Sequence, residues 1–247
     1  MRRLAVIADI HGNLPALEAV IAGIAQRRIG DIVNLGDCAS GPLWPRETCA
    51  RLMREAWPTV RGNHDRWVAE GTPHGPSDTY ALEQLDAAQV RWLGDLPPTI
   101  RQDAVTLFHA TEEDDTRYLL EDVEGGRLVR AAPARVASRL GPSAEGASVL
   151  LCGHSHQPHM LKLPDGPLVV NPGSVGCPAY ADPDGDPPHV SEAGTPHARY
   201  AVLTLDGSLG ATVEMIALPY DHEAAARRAE ANGRPDWARA LRTGLVR

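Results

Sequence analysis

Leu4 to Ala8 is a continuous apolar run, and Leu14, Leu17, Val20, Ile21 and Ile24 then recur at helical spacing, so the chain opens as a strand followed by a helix. Asp31 to Leu35 reads as the next strand. Pro45 fits a first helical turn and predicts a helix to Ala56, after which Thr59 to Arg61 supplies another short strand. A βαβαβ start of this kind favours a parallel sheet with helices outside it. Helical segments near Thr79 to Asp86 and Ala88 to Asp95 follow, then strands at Thr99 to Arg101 and Ala104 to His109. The rest is richer in strands: Ser148 to Cys152, His159 to Leu163, Leu168 to Asn171, Tyr200 to Leu205 and Ala211 to Leu218. Helices around Asp221 to Ala231 and Pro235 to Arg242 close the sequence. With no internal repeat and no clean linker, residues 1–247 are expected to form one domain.

Cys177 to His197 departs from this pattern. It carries Pro178, Pro183, Asp184-Gly185-Asp186, Pro187-Pro188 and Gly194, which is turn chemistry without periodicity. A long loop insertion over 177–198 is therefore expected, either a flap beside an active site or a mobile insertion.

Composition narrows the function classes. A chain of 247 residues can bury a substantial core, and its net charge of -8 gives no basic footprint for gripping nucleic acid. No apolar run approaches the roughly 20 residues of a membrane span, and Met1-Arg2-Arg3 leads straight into the first strand rather than into a signal-peptide core. A soluble, cytoplasmic protein is expected, without membrane or stable nucleic-acid partners. Cys38, Cys49, Cys152 and Cys177 show no CxxC spacing and read as reduced packing thiols.

The candidate chemistry lies in five short fragments: Asp9-Ile10-His11, Gly36-Asp37, Gly62-Asn63-His64-Asp65, His109 and Gly153-His154-Ser155-His156. Each follows an apolar, strand-like run. Asp9 and His11 offer a carboxylate and an imidazole to one point above a sheet edge, a donor pair that suits a divalent transition metal. Asp37 has two oxygens and can bridge two ions, holding them at roughly 3.5 to 4 Å as in two-metal hydrolases. His109, His154 and His156 bring three more imidazoles. Alternation in an extended segment would let His154 and His156 point the same way, with Gly153 easing the turn. Each signal is weak alone, but several unrelated strand ends each stop in a metal-compatible residue, which packing does not require.

In order and spacing the fragments resemble the calcineurin-like metallophosphoesterase superfamily, whose pattern is DxH, GD, GNH(D/E), H and GHxH. Asn171-Pro172-Gly173-Ser174-Val175-Gly176 and Pro219-Tyr220-Asp221 before a helix look like its small bacterial phosphodiesterase branch. The resemblance implies an α/β fold, a four-layer αββα sandwich of two central mixed sheets flanked by helices. It also implies two divalent transition-metal ions, manganese first, with iron, zinc, nickel or cobalt as alternatives. One would be held by Asp9, His11 and His156, the other by Asn63, His109 and His154, with Asp37 bridging. The two cations would share a water, lower its pKa and leave a hydroxide to attack phosphorus. His64, which the metals do not need, is assigned as general acid, with Asp65 orienting its other ring nitrogen.

The substrate expected is a small, nucleotide-like phosphorylated compound, as a diester, a monoester or a nucleotide. The GDxVDRG arginine of the protein Ser/Thr phosphatases is absent, because Gly36-Asp37 continues as Cys38-Ala39-Ser40-Gly41; this weakens a protein-phosphatase reading. Asn13 is expected to cap a helix rather than touch substrate, and Arg61 and Arg199 to be ordinary surface arginines. The alternative from another class is a protein-binding scaffold on the same sandwich, like the retromer subunit. It would be suspected had His64 or a ligand been replaced. Oligomeric state is unread.

Overall fold

β1 (Arg2–Ile7) is central in a four-stranded sheet, so Leu4 to Ile7 are buried on both faces and read as an unbroken apolar run rather than an alternating one. In the computed structural model the described residues are 2–206 and 210–247; Met1, which opens the run read above as leading into this strand, lies outside them. The sheet is ordered β13 (Gly210–Leu218), β12 (Ala198–Asp206), β1, β2 (Asp31–Asn34). β1 and β2 are parallel, as the opening pattern predicts, but β12 pairs antiparallel with both β1 and β13, with Leu4 opposite Leu203. Thr59 makes only an isolated bridge to Asn34 instead of a strand.

A second mixed sheet is ordered β3 (Thr99–Gln102), β4 (Val105–Phe108), β7 (Val149–Leu151), β9 (Leu168–Asn171), β8 (His159–Lys162). β4, β7 and β9 are parallel and the two edge strands antiparallel. The sheets bury their inner faces on each other, Leu4, Val6, Val33 and Leu203 against Leu107, Val149, Leu151 and Val170. The alternate residues Ala5, Ile7 and Val202 face outward onto Leu17, Val20 and Ile24 of α1 (Leu14–Gln26). Residues of α2 (Pro45–Glu55), α3 (Asn63–Glu70), α4 (Pro76–Gln84) and α5 (Ala87–Asp95) extend that layer. Phe108, Leu150 and Val169 on the far face of the second sheet pack on Leu119, Leu120 and Val136, the last from α6 (Pro133–Ser138). The result is the four-layer sandwich. α7 (His222–Ala231) and α8 (Pro235–Thr243) form a further apolar cluster with Leu43.

Two corrections concern elements. The segment 177–198 is not an irregular loop: β10 (Ala179–Asp182) and β11 (His189–Glu192) form an antiparallel hairpin, with Asp182 opposite His189. Its prolines Pro183, Pro187 and Pro188 lie in the connection, where no ladder hydrogen bond is needed. β11 pairs in turn with β6 (Arg127–Arg130), which pairs with β5 (Glu121–Glu124), giving a third sheet of order β10-β11-β6-β5. The other correction is α3, which begins at Asn63 and so converts a presumed strand end into a helix start.

Candidate metal centre

Five of the seven residues read as ligands sit in left-handed backbone: Asp9, His11, Asp37, His154 and His156, with φ of 55°, 50°, 55°, 68° and 60°. That conformation is rare for residues with a Cβ and costs about 1 to 3 kcal/mol each where it occurs. The chain therefore turns sharply just past β1, β2 and β7. Backbone bonds from Asp9 N to Gly36 O and from Ile10 N and His11 N to Asp37 O tie the first two turns together.

The side chains converge in two groups. The candidate ligand atoms of Asp9, His11 and His156 all lie within 4.8 Å of one another, as do those of Asp37, His109 and His154. In the first group His11 Nε2 is 3.1 Å from His156 Nε2, which is 3.5 Å from Asp9 Oδ1. In the second His109 Nε2 is 3.2 Å from Asp37 Oδ2, and that same oxygen is 3.8 Å from His11 Nε2, so Asp37 lies between the groups. Asn63, in the first turn of α3, is buried, and among the described residues its Oδ1 has no hydrogen-bond partner.

Each imidazole gives one ring N–H to a backbone carbonyl. His11 Nδ1 donates to Ser40 O at 2.7 Å, His109 Nδ1 to Leu35 O at 2.7 Å, His156 Nδ1 to Cys177 O at 2.8 Å and His154 Nε2 to Thr116 O at 2.8 Å. The other nitrogen of every ring is thereby turned toward its ligand group, the arrangement that fixes metal-ligating histidines. His109 Nε2 is buried without a hydrogen bond. Four such nitrogens, two carboxylates and an orphaned amide oxygen fit divalent transition cations.

The electrostatics agree. Burial and the neighbouring His156 push His11 down to about 4, and burial together with His109 does the same to His154. Burial also opposes charge on His109 and His156, but Asp37 raises His109 to about 9 and Asp9 raises His156 well above the ordinary range. The two carboxylates thus favour protons on His109 and His156, the rings nearest them.

His154 and His156 do not reach the site by alternation along an extended strand: both are left-handed, and they serve different groups. Gly153 makes room rather than easing the turn, since a Cβ there would stand 2.9 Å from Asp9 Oδ2. Gly62 is more tightly constrained. A Cβ on it would meet Asp37 Oδ1 at 2.1 Å and Asp37 N at 2.6 Å.

The reading of Asp65 needs correction. It does not touch the ring of His64; its oxygens accept from the backbone N–H groups of Asp37, Cys38 and Gly62 at 2.8, 2.8 and 3.0 Å. Adjacent residues on a helix point about 100° apart, so Asp65 faces the β2 turn while His64 faces outward. The partner of His64 is Asp78 in α4, whose Oδ1 accepts from Nδ1 at 2.7 Å. Asp78 is fully buried and also accepts from Ser40 Oγ and from His74 N. Burial opposes charge on His64, but Asp37 and Asp78 outweigh it and raise its pKa.

Asn13 caps α1 as expected, accepting from Ala16 N at 3.3 Å. Arg61 donates to Gly94 O, and Arg199, buried rather than a surface arginine, donates to Ala193 O and Thr195 Oγ1; neither lines the cleft over the ligand groups. The four cysteines are free and buried. A cleft of about 940 Å³ opens over the ligand groups, lined also by Trp67, Tyr118, Tyr180 and Trp237. Tyr118 stacks on His154 with ring centroids 4.9 Å apart, and the edge of Tyr180 meets His156 at 4.7 Å. The sequence pattern missed Asp78, Tyr118 and Tyr180, which carry no motif and lie in segments recognisable only through their tertiary neighbours. No helix among the described residues is long and apolar enough to cross a membrane.

Comparison with known proteins gives the same picture. The chain is 26% identical over 259 aligned positions to an uncharacterized protein of Methanocaldococcus jannaschii, covering 95% of this chain and 94% of that one. A metallophosphoesterase from Sphaerobacter thermophilus superposes with a TM-score of 0.73 at 24% identity, covering 98% of this chain and all of that one. A hypothetical protein from Pyrococcus horikoshii superposes with a TM-score of 0.76 at 19% identity over the whole of both chains. These two structures share the fold. The profile of the calcineurin-like phosphoesterase superfamily domain matches residues 2–190, a span that includes all five fragments and both ligand groups, and the chain belongs to that superfamily.

Proposed function

We propose that this chain is a dinuclear metal-dependent phosphoesterase, with residues 1–247 as one catalytic domain, that hydrolyses a small, nucleotide-like phosphodiester or phosphomonoester. The observation that carries the reading is the set of four imidazoles, each anchored through one nitrogen to a carbonyl, with the other left to two carboxylate-bearing groups that Asp37 adjoins. Asp9, His11 and His156 would hold one divalent ion, manganese in the first instance, and Asn63, His109 and His154 the other, with Asp37 between. When bound, the ions would neutralise the phosphoryl oxygens and lower the pKa of the attacking water.

The remaining steps belong to the protein. His64 gives Nδ1–H to Asp78, which leaves Nε2 as the atom that donates a proton to the departing alkoxide. The charges of Asp37 and Asp78, which raise its pKa, favour the protonated ring. Asp65 orients nothing on the substrate; it holds the β2 turn against the start of α3, and so keeps Asp37 beside Asn63 and His64. His64 N donates to Asp37 Oδ1 at 3.1 Å, which further sets the carboxylate.

The scaffold alternative uses the same sandwich without needing His64 or an open cleft. Reconstitution with Mn followed by assay on a panel of mono- and diesters separates the two. Turnover that falls by about a thousandfold or more in Asp37→Ala is expected. Equal turnover by that variant, or none by the metal-loaded parent on any ester, would contradict the hydrolase reading and leave the scaffold.

A further inference from the structure

The cleft has several arginines at its edge, and almost all are already committed. Arg135 and Arg139 both pair with Asp122, and Arg139 also donates to Glu121 O at 2.8 Å. Arg234 donates to Asp236 Oδ2 at 2.6 Å and Ser77 Oγ at 3.0 Å. Arg117 differs. It is exposed and lines the cleft, and among the described residues its guanidinium makes no hydrogen bond or ion pair. Asp114 feels its charge without an ion pair, and its Oδ1 accepts from Thr116 N at 2.9 Å and Thr116 Oγ1 at 2.6 Å.

The backbone beneath Arg117 is fixed from both sides. Asp115 takes a bidentate bond from Arg66 of α3 at 2.7 and 2.8 Å, and Thr116 O accepts from His154 Nε2. Tyr118 then stacks on the ring of the same histidine. Thr116 O thus holds the ring nitrogen of His154 that the ligand group does not use, and Arg117 follows it directly on the cleft wall. The scissile phosphoryl group belongs between the ligand groups and His64, and the guanidinium of Arg117 is bound to none of these residues. It can instead meet a second anionic group on the same substrate. A guanidinium in this position recognises phosphoryl oxygens in pairs. Elsewhere the cleft discourages such a group, since Asp184 and Asp186 line it from the β10–β11 connection.

Building on the hydrolase reading, we propose that Arg117 is a specificity residue that selects phosphoesters carrying a second phosphoryl group beyond the scissile one. The test uses the Mn-loaded full chain and two chromogenic esters, the p-nitrophenyl ester of thymidine 5′-phosphate and its counterpart bearing an additional 3′-phosphate. In the parent, the 3′-phosphate is expected to raise kcat/KM about tenfold or more, through KM. In Arg117→Ala that ratio falls toward one, and Arg117→Lys keeps part of it, because a point charge replaces the planar fork. A ratio unchanged in Arg117→Ala, or absent in the parent, would overturn the assignment.

Calorimetry with thymidine 5′-phosphate and thymidine 3′,5′-bisphosphate supplies a second readout that needs no turnover. The bisphosphate is expected to bind the parent about tenfold more tightly than the monophosphate, and Arg117→Ala to lose that margin. If neither ester is hydrolysed, this pair still decides Arg117, and the panel of mono- and diesters decides the hydrolase reading separately. Equal affinities in the parent, or no binding, would refute the role.

Discussion

His64 gives its Nδ1 hydrogen bond to a carboxylate fourteen positions along the chain, and that choice of partner sets what the ring can do. Asp78 holds the ring in one orientation and contributes negative charge that remains when Asp37 is engaged by cations. Asp78→Asn keeps the shape and removes the charge. Its kcat on a diester with an alkyl leaving group is expected to fall about tenfold to a hundredfold, with metal content unchanged. A raised pKa keeps the acid protonated to higher pH, so losing Asp78 should move the fall of kcat with rising pH to lower pH. A nitrophenyl ester, which needs little protonation on leaving, should show much less of the effect; equal losses on both esters would count against His64 as the acid. The Asp and His ligands were legible because each follows a strand in a residue that packing does not ask for; Asn63 and His64 were legible only through their motif, since they open α3. Asp78 was not, because its meaning depends on α4 lying beside α3. Asp65 was misassigned because adjacency in sequence was taken for adjacency at the ring, whereas a helix turns consecutive side chains apart.

Among the elements, the sharp turns after β1, β2 and β7 matter most. They put Asp9, Asp37, His154 and His156 in left-handed backbone, and they depend on neighbours that leave space. Gly62→Ala would drive a methyl into Asp37, so Mn binding is expected to weaken at least tenfold and the melting temperature to drop by several degrees. Gly30→Ala is the control, since nothing lies within 4 Å of its added methyl, and it should change neither. Tight Mn binding retained by Gly62→Ala would show that the β2 and α3 turns need not meet so closely. Strands buried on both faces announced themselves as apolar runs; β5, β6, β10 and β11 did not. These are four residues each, only partly buried and flanked by Gly and Pro; they form two local hairpins, and only the pairing of β11 with β6, Val190 opposite Arg127, joins segments distant in sequence, which no local pattern reports. α3 escaped notice because its eight residues carry few apolar positions to mark a period.

Over the whole molecule, the two central sheets meet at the ligand groups: Asp9, His11 and Asp37 follow strands of one, His109, His154 and His156 strands of the other. Resemblance supplied the four-layer arrangement in advance, because strand patterns alone do not say that β12 returns to pair with β1. The charge balance between the sheets has a measurable consequence. With His109 raised to about 9 and His156 raised above the ordinary range, both rings favour their protons and a cation must compete with them. Mn binding should therefore release about two protons and tighten as pH rises from about 6 to 8. Calorimetry in buffers of different ionisation enthalpy reads both, and a pH-independent affinity would contradict the assignment of these ligands. The most direct measurement is anomalous diffraction at the manganese edge from crystals of the Mn-loaded protein. Two peaks are expected, one among Asp9, His11 and His156 and one among Asn63, His109 and His154, with Asp37 reaching both; a single peak, or none at these residues, would contradict the dinuclear centre.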